Sequence, residues 1–182
     1  MNAGTTGARS DVVAVIPARN EAADIGAVVG RVRSLGLAVI VVDDFSSDDT
    51  VAEAQAAGAR VLRLPFHAGA WTAMQTGIRA AVASGYQRTV TLDGDGQHEP
   101  ADIPGLLARL DSSETPPNVI VASCTERGNR RRRMAWRVLR ILSGLKVADL
   151  TSGFRVYDRS AMEYLAESEC TLLEYQDVGV LL

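Results

Sequence analysis

A chain of 182 residues, 47% hydrophobic and with a net charge of −3, is long and apolar enough to fill the core of one domain and too evenly charged for a disordered tail. Its only cysteines, Cys124 and Cys170, match neither a zinc spacing nor a disulfide framework, which points to a reducing cytosol. Seven of the 19 basic residues fall between Arg127 and Arg140, so the basicity is local, which argues against a bulk nucleic-acid binder.

In chain order, Met1–Ser10 is small and polar and reads as a flexible N-terminus ahead of a single domain over residues 11–182. The apolar run Val12–Ile16 is the first strand candidate and is too short for a signal-peptide core or a membrane span. Val39–Val42, Arg60–Leu64, Thr89–Leu92 and Val119–Ala122 are the other strand candidates. Helical patterns at Glu21–Leu35, Asp48–Ala57, Ala70–Ser84 and Pro100–Leu110 separate them, with Gly36, Gly58 and Gly85 just past three of the ends. This alternation predicts an α/β domain: a mostly parallel, Rossmann-like sheet covered by helices on both faces. Trp71, Met74 and Ile78 recur at helical spacing and are expected in the core. After Val121 come an Arg-rich helix candidate, a break at Gly144, the segment Asp149–Tyr157 and a helix candidate from Arg159 to about Ser168. Tyr175–Leu182 reads as a helix that stops on apolar residues without a closing signal, so the chain is expected to be truncated at its C-terminus.

Four stretches carry chemistry. Pro17-Ala18-Arg19-Asn20-Glu21 follows the first strand where a dinucleotide fold would have G-x-G-x-x-G, which argues against NAD and FAD as ligands. It reads either as a turn shaping a slot for a base or as an ordinary turn with Glu21 opening a helix. Asp43-Asp44 ends the second strand. Ser47 or Asp48 can cap the following helix, but capping leaves the strand-end pair unexplained, and Asp44 can accept a nucleobase ring N–H. Asp93-Gly94-Asp95-Gly96-Gln97 follows another strand and offers hard oxygens to Mg2+ or Mn2+ where a metal-bound diphosphate would sit. An EF-hand reading fails, because its required Gly and Glu positions hold His98 and Pro104. Arg130, Arg133, Arg137 and Arg140 form one face of an amphipathic basic helix, readable as a solvated surface, a phosphate clamp or a contact with anionic lipid headgroups. His67 and His98 lie outside any metal-ligand spacing, and no Walker or G-x-S-x-G sequence is present.

Together, Ile16–Glu21, Val41–Asp44, Asp93–His98 and Asp149-Leu150-Thr151-Ser152-Gly153-Phe154-Arg155 resemble the family 2 glycosyltransferases, in particular the dolichol-phosphate mannosyltransferase-like, or polyprenyl-phosphate glycosyltransferase, group. The resemblance runs from about Val12 to Leu182. It implies the GT-A nucleotide-diphospho-sugar transferase fold, with Pro17, Arg19, Glu21, Val42, Asp44, Asp93, Gly94 and Asp95 on the nucleotide sugar. It further implies a metal set of Asp93, Asp95 and Gln97, catalytic roles for Asp95, Arg127, Arg133 and Asp149, and an acceptor side that includes Ser152 and Arg155. Two departures stand out. His67-Ala68-Gly69-Ala70-Trp71 replaces the family's N-x-G-K-G-like loop, and the family continues past Leu182.

The expected reaction is metal-dependent transfer of a hexosyl group, with inversion, from a UDP- or GDP-linked sugar to polyprenyl phosphate. Arg127 and Arg133 would contact phosphate. The expected setting is the cytoplasm, with peripheral contact at the cytoplasmic face of the membrane, and a homo-oligomer is left open. The alternatives are a family 2 transferase acting on a saccharide acceptor in cell-envelope polysaccharide synthesis, and a non-catalytic nucleotide-sugar-binding fragment.

Overall fold

The structure, a computed structural model, describes residues 11–111, 117–122 and 152–172. In chain order they form β1 (Val12–Ala18), α1 (Ile25–Ser34), β2 (Ala38–Asp43), α2 (Thr50–Ala56), β3 (Arg60–Arg63), α3 (Ala70–Ala83) and β4 (Arg88–Thr91). A 3-10 turn at Pro100–Asp102 leads into α4 (Ile103–Asp111), followed by β5 (Val119–Val121), β6 (Arg155–Tyr157), α5 (Arg159–Ala166) and a last 3-10 turn at Glu169–Leu172. The Arg-rich segment, Cys124 and the expected final helix Tyr175–Leu182 lie outside the described residues.

The six strands form one sheet in the order β3-β2-β1-β4-β6-β5. The first four are parallel, and β6 is antiparallel to both its neighbours, β4 and β5. The expected strands and helices that fall within the described residues are present within a few residues of their predicted ends. β6 was not expected: a three-residue strand containing an arginine carries no periodic signal, and only its long-range partners make it a strand.

Alternation along β1 and β2 divides the core in two. Val12, Ala14, Ile16, Val39 and Val41 meet α1 and α4 on one face of the sheet. Val13, Val15, Ile40 and Val42 meet α3 and α5 on the other, where Trp71, Met74 and Ile78 are buried as expected. All seven residues of β1 are buried, as a central parallel strand requires. The C-terminal part of the described chain is bound to α3 through backbone carbonyls. Trp71 Nε1 donates to Cys170 O at 2.8 Å, Gln75 Nε2 to Leu165 O at 2.9 Å and Arg79 Nε to Ala166 O at 2.7 Å.

The helix expected from Glu21 begins only at Ile25, after a turn in which Asn20 takes φ 55° and the Asp24 N–H donates to Glu21 O. Asn20 N–H donates to Ser46 Oγ, Glu21 N–H to Thr50 Oγ1 and Ala22 N–H to Asp48. The turn after β1 is therefore fastened to the loop after β2. Among the described residues, no helix is long and apolar enough to cross a membrane.

Gly77 lets α3 lie directly on the sheet: a Cβ there would fall 2.3 Å from Val15 Cγ1 and 3.1 Å from Val42 Cγ2. Gly77→Ala is expected to destabilise the fold by about 1–3 kcal/mol through overpacking. Gly30, with nothing within 4 Å of such a Cβ, is its contrast. Gly30→Ala should be neutral or stabilising by up to about 1 kcal/mol, and urea denaturation midpoints of the two variants should move in opposite directions.

Candidate active site

From β1 the chain winds outward through β2 to β3, then crosses back to place β4 on the other side of β1. At such a reversal the loops leaving the carboxyl ends of the strands diverge and leave a crevice. Here the crevice is a cleft of about 300 Å3 lined by Pro17, Ala18, Arg19, Glu21, Asp44, His67, Ala70, Asp93, Gly94 and Asp95. Seven of the eight residues expected at the nucleotide sugar thus meet in one cavity. Val42 is the eighth, and its side chain lies in the core against α3 because it shares the pleat face of Val13, Val15 and Ile40.

The two carboxylates ending β2 have different tasks. Asp43 is fully buried, accepting the Ser46 N–H at 3.2 Å and pairing with Arg63 Nε at 3.2 Å, so it holds the turn. Asp44 lies against the cleft and is wrapped by the segment that replaces the N-x-G-K-G-like loop. Its Oδ1 accepts the Ala68 N–H at 2.7 Å, and its Oδ2 accepts from His67 Nδ1 at 2.7 Å and from the Gly69 N–H at 3.0 Å. Gly69, with φ 90°, makes the turn that brings these donors round before α3 begins. Phe45 between the loops adopts φ 63°, a left-handed conformation costly for a bulky side chain.

Asp93 and Asp95 leave β4 into the same cleft. His98 Nε2 lies 2.9 Å from Asp93 Oδ2 and its ring packs at 5.2 Å on Phe154. On the other side, the Gly153 backbone presses against Asp93, so that a Cβ at residue 153 would fall 2.7 Å from Oδ1. Thr91 Oγ1 fixes this approach by donating to Gly153 O at 2.8 Å. Gln97 holds Asp95, with its N–H reaching Oδ1 at 3.0 Å and its amide Nε2 reaching Oδ2 at 2.6 Å. The Gln97 amide nitrogen is thus engaged with Asp95, and Gln97 is not among the residues that line the cleft. Glu21 faces both aspartates. Burial pushes its carboxyl above the usual range, and the negative charges of Asp95, Asp24, Asp48 and Asp93 push it further.

Among the described residues, no three His, Cys, Asp or Glu side chains form a ready-made metal cage. Two aspartates in an acidic cleft nevertheless fit Mg2+ or Mn2+ well, since such ions are held by one or two carboxylates together with water and substrate phosphates. Of the other expected site residues, Ser152 is buried and its Oγ accepts the Phe154 N–H. Arg155 is buried too, with Nε donating to Ser152 O at 2.8 Å, so both shape the segment that presents Gly153 to Asp93. Arg127, Arg133 and Asp149 lie outside the described residues. Sequence reasoning missed His67, His98 and Gly153 as contributors, since only the folded chain brings them to Asp44 and Asp93.

A family model described as "Glycosyl transferase family 2" matches residues 13–165. The chain belongs to that family. Its relatives by sequence include the polyprenol monophosphomannose synthase of Mycolicibacterium smegmatis, 29% identical over 82% of this chain and 62% of that protein. They also include the undecaprenyl-phosphate mannosyltransferase of Micrococcus luteus, 30% identical over 80% of this chain and 65% of that protein. The chain therefore spans less than two thirds of the length of either relative. Its fold superposes on glucosyl-3-phosphoglycerate synthase from Mycobacterium tuberculosis, solved with Mn2+, uridine diphosphate and phosphoglyceric acid. That match has a TM-score of 0.68 at 26% identity and covers 85% of this chain and 57% of the other. The family 2 member thus has the GT-A fold, and the polyprenyl-phosphate group is the branch its named relatives support.

Two outcomes follow from this geometry. Gly153→Ala should displace the Asp93 carboxylate and weaken Mn2+ binding in the presence of nucleotide by about tenfold, read by electron paramagnetic resonance of free Mn2+. For Glu21, a raised pKa means that ionisation is disfavoured in the folded state, so the stability penalty is present above the folded pKa and absent once the group is protonated in both states. In metal-free protein, Glu21→Gln should melt at a higher temperature than the parent at neutral pH, and the difference should fade as pH falls through the ordinary carboxylate range.

Proposed function

We propose that this protein is a metal-dependent inverting glycosyltransferase that moves a hexosyl group from a nucleoside-diphosphate sugar to a polyprenyl phosphate. The observation that carries this reading is the cleft at the winding reversal, which has a buried carboxylate, Asp44, at its inner wall and two further carboxylates, Asp93 and Asp95, at its mouth. That spacing of functions suits a nucleotide lying with its base towards β2 and its diphosphate towards β4. The names of the two bacterial relatives support the acceptor class, and the Mn2+ and uridine diphosphate in the tuberculosis enzyme support the donor and metal classes.

In the proposed reaction, an oxygen of the acceptor phosphate attacks the anomeric carbon as the bond to the diphosphate breaks, giving the inverted glycosyl phosphate and a free nucleoside diphosphate. Asp93 and Asp95 would hold a Mg2+ or Mn2+ ion, which when bound neutralises charge growing on the departing diphosphate. His98 and Gln97 keep those two carboxylates oriented. Pro17, Arg19, Glu21, Asp44 and Gly94 would bound the donor. A phosphate acceptor is ionised near neutral pH and needs no strong base, so positioning can supply much of the rate. We assign that positioning to Arg127 and Arg133, with Asp149, Ser152 and Arg155 on the acceptor side. A lipid acceptor would place the reaction at a membrane surface, and we propose the cytoplasmic face, reached through peripheral contact.

One observation favours a second acceptor: the structurally similar tuberculosis enzyme holds phosphoglyceric acid, a small soluble phosphate. Radiolabelled transfer assays offering polyprenyl phosphate and phosphoglyceric acid side by side separate the two.

Calorimetric titration with UDP and GDP, with and without Mn2+, tests the reading itself. The parent is expected to bind one of them in a metal-dependent manner. Asp95→Ala should retain the parent's circular dichroism and lose at least about tenfold in that affinity. Unchanged affinity in Asp95→Ala would remove the basis for the metal and donor assignment.

A further inference from the structure

We infer that the base pocket selects a pyrimidine with an imide edge, uracil or thymine, over guanine, and that His67 sets this preference by filling the second oxygen of Asp44. The inference rests on the nucleotide-sugar reading above and concerns which base that site takes.

A carboxylate offers about four lone-pair directions, two on each oxygen. On Asp44, Oδ2 already accepts from His67 Nδ1 and from the Gly69 N–H, and Oδ1 accepts from the Ala68 N–H. One direction, on Oδ1, is left for a ligand. Asp44 is 3% exposed, so a donor that reaches it without finding an acceptor is left buried and unpaired.

His67 is held in its donor role from behind. Arg19 Nη1 lies 3.1 Å from His67 Nε2. A guanidinium only donates, so Nε2 accepts and the ring proton sits on Nδ1, facing Asp44. Arg19, His67 and Asp44 thus form a directed chain whose last member is a carboxylate with one oxygen closed.

The bases differ on this count. Uracil and thymine present one ring N–H between two carbonyl oxygens, which matches a single free acceptor. Arg19 lines the same cleft, and its remaining N–H groups match a flanking carbonyl. Guanine presents its ring N–H beside an exocyclic amino group. These two adjacent donors need both oxygens of one carboxylate, so the second would meet the closed Oδ2. Cytosine and adenine present an unprotonated ring nitrogen, which a carboxylate repels. A site matched to the donors of one ligand rejects ligands that leave a buried group unpaired by large factors.

The test is calorimetry of the full chain with Mn2+ and, separately, UDP, dTDP, GDP, CDP and inorganic pyrophosphate, repeated on His67→Ala and His67→Asn. The expected result is binding of UDP or dTDP at least about tenfold tighter than GDP and CDP. His67→Ala, which opens Oδ2, should narrow the UDP-to-GDP gap several-fold. His67→Asn, whose amide can still donate to Oδ2, should keep it. GDP binding as tightly as UDP in the parent overturns the inference and leaves the nucleotide-sugar reading in place, as does equal binding of pyrophosphate and the nucleotides. A folded parent that binds neither nucleotide nor pyrophosphate overturns both. An unchanged gap in a folded His67→Ala removes His67 from the account. If that variant does not fold, the parent's ratio and His67→Asn decide.

Discussion

Everything at the site depends on the reversal of winding at β1. Because β2 and β4 flank β1 and both run parallel to it, three strands deliver their carboxyl ends to one edge of the sheet. The loops that follow must part there, since one heads outward to α1 and α2 and the other turns toward α4. The cavity between them is a product of topology. Its chemistry comes from the residues each strand happens to release, with Pro17 and Ala18 from β1, Asp44 from β2 and Asp93 from the end of β4.

Within that frame the acidic residues fall into pairs with divided labour. Asp43 and Asp44 are adjacent in sequence and point to opposite uses, one tied to Arg63 and the Ser46 amide, the other turned to the cleft. Asp93 and Asp95 are both gripped by neighbours, His98 and Gly153 in one case and Gln97 in the other. Burial raises the Glu21 carboxyl, and the negative charges of Asp95, Asp24, Asp48 and Asp93 raise it further. The cleft holds more negative potential than it neutralises by its own side chains, which is the condition that favours a bound divalent cation.

The order of strands and helices was legible in the sequence because short, continuously apolar, β-branched runs such as Val12–Ile16 and Val39–Val42 alternate with longer helical patterns. So was the D-x-D pair, whose meaning comes from following a strand. Three things were not legible. β6 is three residues long and includes a buried arginine, so its pattern exists only once β4 and β5 flank it. Val42 stands two residues before Asp44 and shares its pleat face, but it lies deeper in the strand, where its side chain is enclosed against α3 in the core. His67, His98 and Gly153 act across separations of 23, 5 and 60 residues on their partners, or lie in loops without periodicity, so no local spacing marks them.

The threading of β6 between β4 and β5 bears on how the protein is made. Among the described residues, strands β1 to β4 pair with one another and with β6, so the strand pairing of that parallel half needs nothing beyond residue 92 except β6. β5, in contrast, pairs with β6 alone among the described residues, and residue 121 emerges well before residue 155. It must wait as an unpaired apolar edge while the intervening segment is synthesised. The same late strand brings Gly153 against Asp93. The carboxylate at the mouth of the cleft therefore acquires its final neighbours only after most of the chain has been translated, and a ribosome stalled before that point would carry a folded half-sheet with an incomplete site.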